Sequence, residues 1–204
     1  MRVNEWVGFN YQQYKKDIDE FIDSDEFVNR EYTGFKFTNK EQTRWEETNV
    51  KYSLKDNLSN KQVGALRGSI KEGLDQEKRL VDIQDDILQK VKPSDTVTDK
   101  NGVKRKISPQ VRAAQMARSE TVRASNEGAL RHFDRGGVKL VGWVTSPGER
   151  TCNYCYAQDG KVLPITEATN KIPAHTGCRC TWFPITGETG VIPDIEKVRK
   201  ELYE

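Results

Sequence analysis

This sequence has few of the residues on which most enzymes and membrane proteins depend. Its 204 residues include only two histidines and four cysteines, and hydrophobic residues make up 35% of the chain. No apolar run approaches the roughly 18 residues of a membrane span, and the first residues lack the apolar stretch of a signal peptide. We therefore expect no membrane association and folding in a cytoplasm, where thiols stay reduced. The lean apolar content predicts an elongated, helix-rich molecule with a modest core.

Apolar residues recur at helical spacing in several parts of the chain. Residues 9–22 form the first such segment. Ser59 and Gln62 form a capping-box pattern in front of a second helix, which we expect Gly73 to end or bend. Asp75 can cap a third helix. The apolar stripes of the second and third helices are Val63, Leu66, Ile70 and Leu74, and Leu80, Ile83, Ile87 and Val91.

The next predicted helix is the longest. Ser108 caps it and Pro109 takes its first position, and the pattern runs to about Phe133 and stops at Gly136-Gly137. One face carries mostly small residues, so another element can approach closely there. These residues are Val111, Ala114, Ala117, Thr121, Ala124 and Gly128.

The chain beyond this helix has a β pattern. The stretch VKLVGWVT alternates and is rich in β-branched residues, which predicts a strand. Asp159-Gly160 is a hairpin signal between short strands. A final helix is predicted from about Asp194.

All four cysteines and one histidine fall between Thr151 and Cys180. The spacing is Cys-x2-Cys, nineteen residues, then His-x2-Cys-x-Cys. A Cys-x2-Cys turn places two thiolates about one metal ion's width apart, and a hairpin that returns a second pair completes a tetrahedron. Zn²⁺ suits such a sulfur-rich, redox-silent set of donors. The sequence therefore predicts a zinc site with five candidate ligands: Cys152, Cys155, His175, Cys178 and Cys180.

Five candidates compete for four positions on the ion. The tight turn between His175 and Cys178, which contains Gly177, favours the set that omits Cys180. Because Cys178 and Cys180 would point to the same side of a strand, an all-cysteine site with His175 beside it is the rival. Disulfides, which need an oxidising compartment, and free thiols are the alternatives without metal. Four protein ligands leave no open position, so we expect a structural site and assign no catalytic residue.

These patterns together predict an α+β fold, in which an elongated helical body carries a small β-rich zinc-binding module near the C-terminus. The expected divisions are an N-terminal arm with aromatic residues (1–57), a helical body (58–135), a β-rich Cys/His module (136–184) and a C-terminal helix (185–204).

One segment of the chain is clearly basic. Residues 104–135 carry eight basic and three acidic side chains, whereas the whole chain has a net charge of only +2. Such an excess can lie near DNA phosphates or an acidic protein surface, or it can be a solvated face. The candidates for DNA contact are Lys104, Arg105, Lys106 and Arg112.

Aromatic residues are concentrated in the acidic first 57 residues. So short a region can hardly bury them all in a core of its own, and exposed aromatics are typical anchors of protein interfaces. We therefore expect this arm to dock on a larger ring or on neighbouring copies of the chain. The alternative is that it folds back on the helical body. The aromatic residues are Trp6, Phe9, Tyr11, Tyr14, Phe21, Phe27, Tyr32, Phe35, Phe37, Trp45 and Tyr52.

A set of short motifs lies in a fixed order between the long helix and the last cysteine: Ala117-Arg118-Ser119-Glu120, Asn126, Trp143, Arg150-Thr151-Cys152, Cys155, Asp159-Gly160, and His175 to Cys180. As a set, these motifs resemble the phage minor head protein family typified by the F protein of phage Mu, over about residues 58–182. The resemblance implies a structural protein of head morphogenesis, assembled in the host cytoplasm and located in the virion. Its implied partners are the portal protein, other capsid proteins and the packaged DNA.

Charged residues on the long helix predict a structural network. Glu120 and Arg123 are three residues apart and can pair, while Arg118 can reach the strand that contains Trp143. We expect these four residues to join the helix to the zinc module. The alternative function is a zinc-dependent nucleic-acid-binding module or a His–Cys nuclease, which needs an open metal position or a histidine base.

Overall fold

The computed structural model describes residues 10–29, 58–96, 106–145 and 151–185 in full, together with Lys104 and Gly148, and the backbone of residues 31–37, 45–53, 97, 98 and 105. The predicted C-terminal helix lies outside these residues. The helices are α1 (Tyr11–Asp23), α2 (Asn60–Asp75), α3 (Leu80–Lys90), α4 (Pro109–Arg135), α5 (Asn153–Gln158) and α6 (Ile165–Ala168). The strands are β1 (Glu31–Phe37), β2 (Trp45–Ser53), β3 (Thr96–Thr98), β4 (Lys104–Lys106), β5 (Leu140–Val144), β6 (Val162–Pro164) and β7 (Thr181–Ile185). None of the helices described is long and apolar enough to cross a membrane.

Helix α2 begins as the sequence predicts. The Ser59 hydroxyl accepts a hydrogen bond from the Gln62 backbone N–H, and the Gln62 side chain accepts one from the Ser59 backbone N–H, so the capping box is present. The helix does not end at Gly73, because α2 runs on to Asp75, the residue expected to cap the next helix. Whether it bends there stays a prediction. A Cβ on Gly73 would lie 2.5 Å from the side chain of Ile83. Glycine is therefore needed there for the close packing of α3.

Helix α1 packs along α4, and this contact buries N-terminal aromatic residues. Phe21 and Phe27 are fully buried, with their rings 6.0 Å apart and edge to face. A Cβ on Gly128 of α4 would lie 2.4 Å from the Ile18 side chain, so the small residue permits the close approach. The prediction that the N-terminal arm exposes its aromatic residues is therefore wrong for Phe21 and Phe27, which pack on the helical body. This first core consists of Ile18, Phe21, Ile22, Phe27, Leu58, Leu66, Ile70, Ile83, Ile87, Val91, Ala113, Met116, Ala117 and Ala124.

Strands β1 and β2 form an antiparallel hairpin after this helix. Tyr32 stands opposite Tyr52 and Phe37 opposite Trp45, with an irregularity between Thr33 and Gly34. The side chains of the hairpin lie outside the description, so the docking of these aromatic residues on a partner stays a prediction.

Strands β5, β6 and β7 form an antiparallel sheet in the order β6-β5-β7. Trp143 of β5 stands opposite Trp182 of β7, and their rings meet edge to face with centroids 5.2 Å apart. The second core consists of Leu130, Val141, Trp143, Cys152, Cys155, Ile165, Ala168, Ile172, Cys178, Cys180 and Trp182. The predicted α+β architecture, with a small β-rich module that carries the cysteines, is confirmed.

Candidate metal centre

Two short segments bring the cysteines and His175 together. Helix α5 begins directly after Cys152, whose sulfur accepts a hydrogen bond from the Cys155 backbone N–H at 3.3 Å and so caps the helix. The second segment is a turn closed by the Cys178 N–H, which donates to the His175 carbonyl at 3.1 Å. Gly177 has a φ of 78° in this turn, a conformation that glycine adopts without steric cost.

All five candidate ligands are buried, and their donor atoms form two groups that share Cys155. In each group the donor atoms lie within 4.8 Å of one another: Cys152, Cys155 and His175, and Cys155, Cys178 and Cys180. The sulfurs of Cys155 and Cys178 are 3.8 Å apart, and two sulfurs on a tetrahedral zinc ion are also roughly 3.8 Å apart for Zn–S bonds of about 2.3 Å. A cavity of about 20 Å³ lies among these residues. It has room for one ion or one water molecule.

The imidazole of His175 is oriented as in metal-binding histidines. Its Nδ1 lies 2.9 Å from the Thr176 carbonyl oxygen, and only a protonated Nδ1 can donate to that carbonyl. Nε2 therefore carries the lone pair in the neutral ring, and it lies 3.1 Å from the sulfurs of both Cys152 and Cys155. A hydrogen bond that fixes the tautomer in this way is typical of histidines that bind metals.

The close contact of the donor atoms shifts the pKa values of the four thiols in different directions. Hydrogen bonding with Cys155 lowers the pKa of Cys152 to about 4 and the pKa of Cys178 to about 2. Contact with Cys152 raises the pKa of Cys155. Contact with Cys155 lowers the pKa of Cys180, but Cys178 and burial outweigh it and raise that pKa to about 11. Buried thiols with lowered pKa values favour a cation, and a divalent ion would also displace the protons of further ligands.

No disulfide links any of the four cysteines. The second histidine of the chain, His132, lies in α4 with its Nδ1 3.7 Å from a carboxylate oxygen of Asp17. A His–Cys nuclease needs a histidine base close to its metal, and His132 belongs to the contact of α4 with α1 instead.

The predicted Arg–Glu pair is present, but its arginine serves a different contact. Glu120 and Arg123 are fully buried and 3.4 Å apart. Arg123 also donates to the Glu26 carbonyl at 2.7 Å and lies over the rings of Phe21 and Phe27. The expectation that Arg123 joins the helix to the zinc module is therefore wrong, because its guanidinium contacts α1 and the turn that follows it. For Glu120 this role stays a prediction.

Arg118 and Trp143, the other two residues of the predicted network, lie on the side of the module. Arg118 is half-buried, and its Cδ would be 3.9 Å from a Cβ built on Gly177. Trp143 packs on Trp182 in the second core.

Three polar residues of α4 that the sequence patterns did not assign to this role connect α4 to the module. The Ser119 hydroxyl accepts a hydrogen bond from the Gly177 N–H at 3.3 Å, and the Glu127 carboxylate accepts one from the Asn170 N–H at 2.7 Å. Asn126 bonds to the backbone on both sides of residue 181. The available signal was their polarity within a long helix whose small residues predicted close packing, since a buried polar side chain requires a partner.

The residues predicted to contact DNA differ in their accessibility. Lys104 and Lys106 are exposed on β4, and the side chain of Arg105 lies outside the description. Arg112 is 1% exposed and donates to the carbonyl and hydroxyl oxygens of Ser94 at 2.8 Å. The prediction for Arg112 is therefore wrong, because its guanidinium stabilises the loop after α3. For the two lysines, contact with DNA stays a prediction.

The fold and the site define an α+β protein whose Cys/His module, capable of holding a metal ion, packs on one end of a long helix. Residues 64–183 match the family described as Phage Mu protein F like protein. Because the match covers more than half of the chain, the chain belongs to this family, which indicates a head-related structural protein of a phage. Virion components are accordingly the expected class of partner. No curated protein and no solved structure matches the chain.

Proposed function

We propose that the chain is a minor head protein of a tailed phage, that a zinc ion stabilises its Cys/His module, and that it associates with the portal. The observation that carries the proposal is the family match over residues 64–183, since this range contains all five candidate ligands. The portal contact places the protein in the head interior or the portal region, near the packaged DNA.

Within this proposal the zinc ligands are Cys152, Cys155, His175 and Cys178. Thr145 supports the omission of Cys180. Its hydroxyl lies 2.9 Å from the Cys155 carbonyl oxygen and 3.4 Å from the Cys180 sulfur. When the hydroxyl donates to the carbonyl, its oxygen can only accept from the Cys180 thiol. A thiol that donates keeps its proton, whereas a zinc ligand must be a thiolate. The rival set of four cysteines requires the Thr145 hydroxyl to donate to the Cys180 thiolate instead of the Cys155 carbonyl.

The role of the ion is to stabilise the module. Four protein ligands leave no open position for water or substrate. Four of the eleven residues in the second core are the cysteines themselves, so apolar packing around them is limited. A structural zinc ion contributes on the order of 10 kcal/mol to the folding of such small modules, which compensates for the small core.

Metal analysis tests the zinc site. Protein made under reducing, zinc-replete conditions should contain about one zinc ion per chain when measured by mass spectrometry of the metal. The Cys152→Ser/Cys155→Ser double variant is the control, and it should contain none and lose protease resistance in the module. A wild-type content below about 0.2 equivalents would contradict the proposal.

For the portal contact we propose the β1–β2 hairpin. Aromatic residues occupy five of its positions: Tyr32, Phe35, Phe37, Trp45 and Tyr52. A two-stranded hairpin is marginally stable by itself, and aromatic residues on such an element are suitable anchors for a protein surface.

Excision of the hairpin tests this contact. Asn29 and Leu58 line the same cavity, so a short Gly-Ser linker can join them after removal of residues 30–57. We expect the shortened protein to retain its helices and to lose co-purification with the portal. Val81→Ser, which alters an exposed apolar residue on α3, is the matched control and should not affect the association. Undiminished association of the shortened protein would place the interface elsewhere.

A further inference from the structure

The side chain of Asn126 makes a set of contacts that resembles those of a neighbouring β-strand. Its Oδ1 accepts a hydrogen bond from the Trp182 backbone N–H at 3.0 Å. Its Nδ2 donates to the Cys180 carbonyl at 3.3 Å and to the Val122 carbonyl, one turn earlier in α4, at 2.8 Å. Asn126 is only 4% exposed, so these bonds form without competition from water.

The position of β7 in the sheet explains why an amide is needed here. Strand β7 is an outer strand, since the order is β6-β5-β7 and β5 pairs with its inner edge. The Cys180 carbonyl and the Trp182 N–H are two residues apart and point to the same, outer edge. Both groups are covered by α4 and would be costly to bury without partners. An asparagine side chain supplies one donor and one acceptor in one plane, as a peptide group does.

We infer that Asn126 is a positioning residue of the metal centre, which fixes the segment from His175 to Cys180 so that its ligands face Cys152 and Cys155. The inference rests on the proposed metal site. One residue separates Cys178 from the carbonyl that Asn126 binds, so the anchor acts directly on the ligand segment. The Ser119 bond to Gly177 supports the other side of the same turn.

The same bonds would couple the ion to the helical body. Helix α4 contributes Ala113, Met116, Ala117 and Ala124 to the first core, and Asn126 follows directly on this helix. Metal binding in the module would therefore also restrict the part of α4 that packs against α1.

The test compares Asn126→Leu with wild type by chelator competition for Zn²⁺ and by the absorption bands of the Co²⁺-substituted protein, which report thiolate ligation and geometry. Loss of a partner that orients a ligand weakens metal binding by about 10–100-fold, and we expect this loss together with altered Co²⁺ bands. Glu127→Met is the matched control. It removes the bond to Asn170, in a different loop of the module, and should lower the melting temperature while leaving both metal readouts unchanged.

Asn126→Asp provides a second variant, since it keeps the acceptor for Trp182 and removes the donor to Cys180. Asn126→Asp should also weaken Zn²⁺ binding at pH 7. If the Asn126→Leu protein does not fold, this variant tests the inference by itself. Wild-type affinity and Co²⁺ bands in a folded Asn126 variant would overturn the inference, as would equal changes in the Glu127→Met protein. Absence of metal binding by wild type would instead overturn the proposed function and the inference with it.

Discussion

Substitution of Gly128 by alanine should destabilise the protein, although alanine is ordinarily the better residue in a helix. Its added Cβ would lie 2.4 Å from the Ile18 Cγ1 and 3.1 Å from the Ile18 Cα and N. A displaced side-chain atom alone would be a small cost, but the two backbone atoms can move only if α1 shifts on α4. Ile18 is 6% exposed, so its side chain also has little free space to enter.

The magnitude follows from two opposing terms. Overpacking a core costs about 1–3 kcal/mol, and backbone contact places this site in the upper part of that range. Replacing glycine by alanine within a helix recovers about 1 kcal/mol. The net loss should be about 1–2 kcal/mol, or roughly 2–8 °C in melting temperature for a chain of this length.

Gly68→Ala is the matched control for this substitution. Gly68 is exposed in the interior of α2, and a Cβ there would meet nothing within 4 Å. This variant should gain about 0.5–1 kcal/mol, so the two glycine substitutions have opposite signs in the same urea or thermal denaturation assay.

A double variant attributes the loss to the contact with α1. Ile18→Ala removes the Cγ1 that would lie 2.4 Å away but keeps the two backbone atoms, so Gly128→Ala/Ile18→Ala should recover only part of the loss and be somewhat more stable than the sum of the two single effects predicts. A melting temperature of Gly128→Ala at or above that of wild type would refute the close packing of α1 on α4.

Two further predictions concern charged groups. Arg123→Met should destabilise the protein by about 3–5 kcal/mol in urea denaturation, because it leaves Glu120 as a buried charge. Adding Glu120→Gln should recover part of this loss. Equal stability of the single and double variants would contradict the prediction. Hydrogen bonds from Lys78 lower the pKa of Glu72 and of Asp86. The resulting stabilisation of the folded state is present above the ordinary pKa values of 4.5 and 3.8. It is lost as the pH falls through the pKa values of the folded protein. Lys78→Met should therefore lose less stability than wild type between about pH 5 and pH 3, and an unchanged pH profile would show that the ion pairs contribute nothing measurable.

Local features of this protein are determined by its sequence. The capping box at Ser59 and the stripes of α2 and α3 need only residues a few positions apart. The candidate metal ligands are equally local, since Cys152 and Cys155 share one turn of α5, and His175 and Cys178 share one turn around Gly177. A tetrahedral ion restricts the spacing of its ligands within each pair, so the spacing alone predicted the cluster.

The partners of each face of α4 were decided only by the tertiary structure. Periodicity shows that Glu120, Arg123 and Asn126 lie on one long helix, but it does not show what packs against each face. Arg123 binds Glu26, 97 positions earlier in the chain, and Asn126 binds Cys180, 54 positions later. Such contacts depend on how α1 and β7 pack on α4, because a buried polar side chain takes whichever backbone group the packing brings to it. For this reason Arg123 contacts α1 and the turn that follows it, and Asn126 contacts the backbone around residue 181.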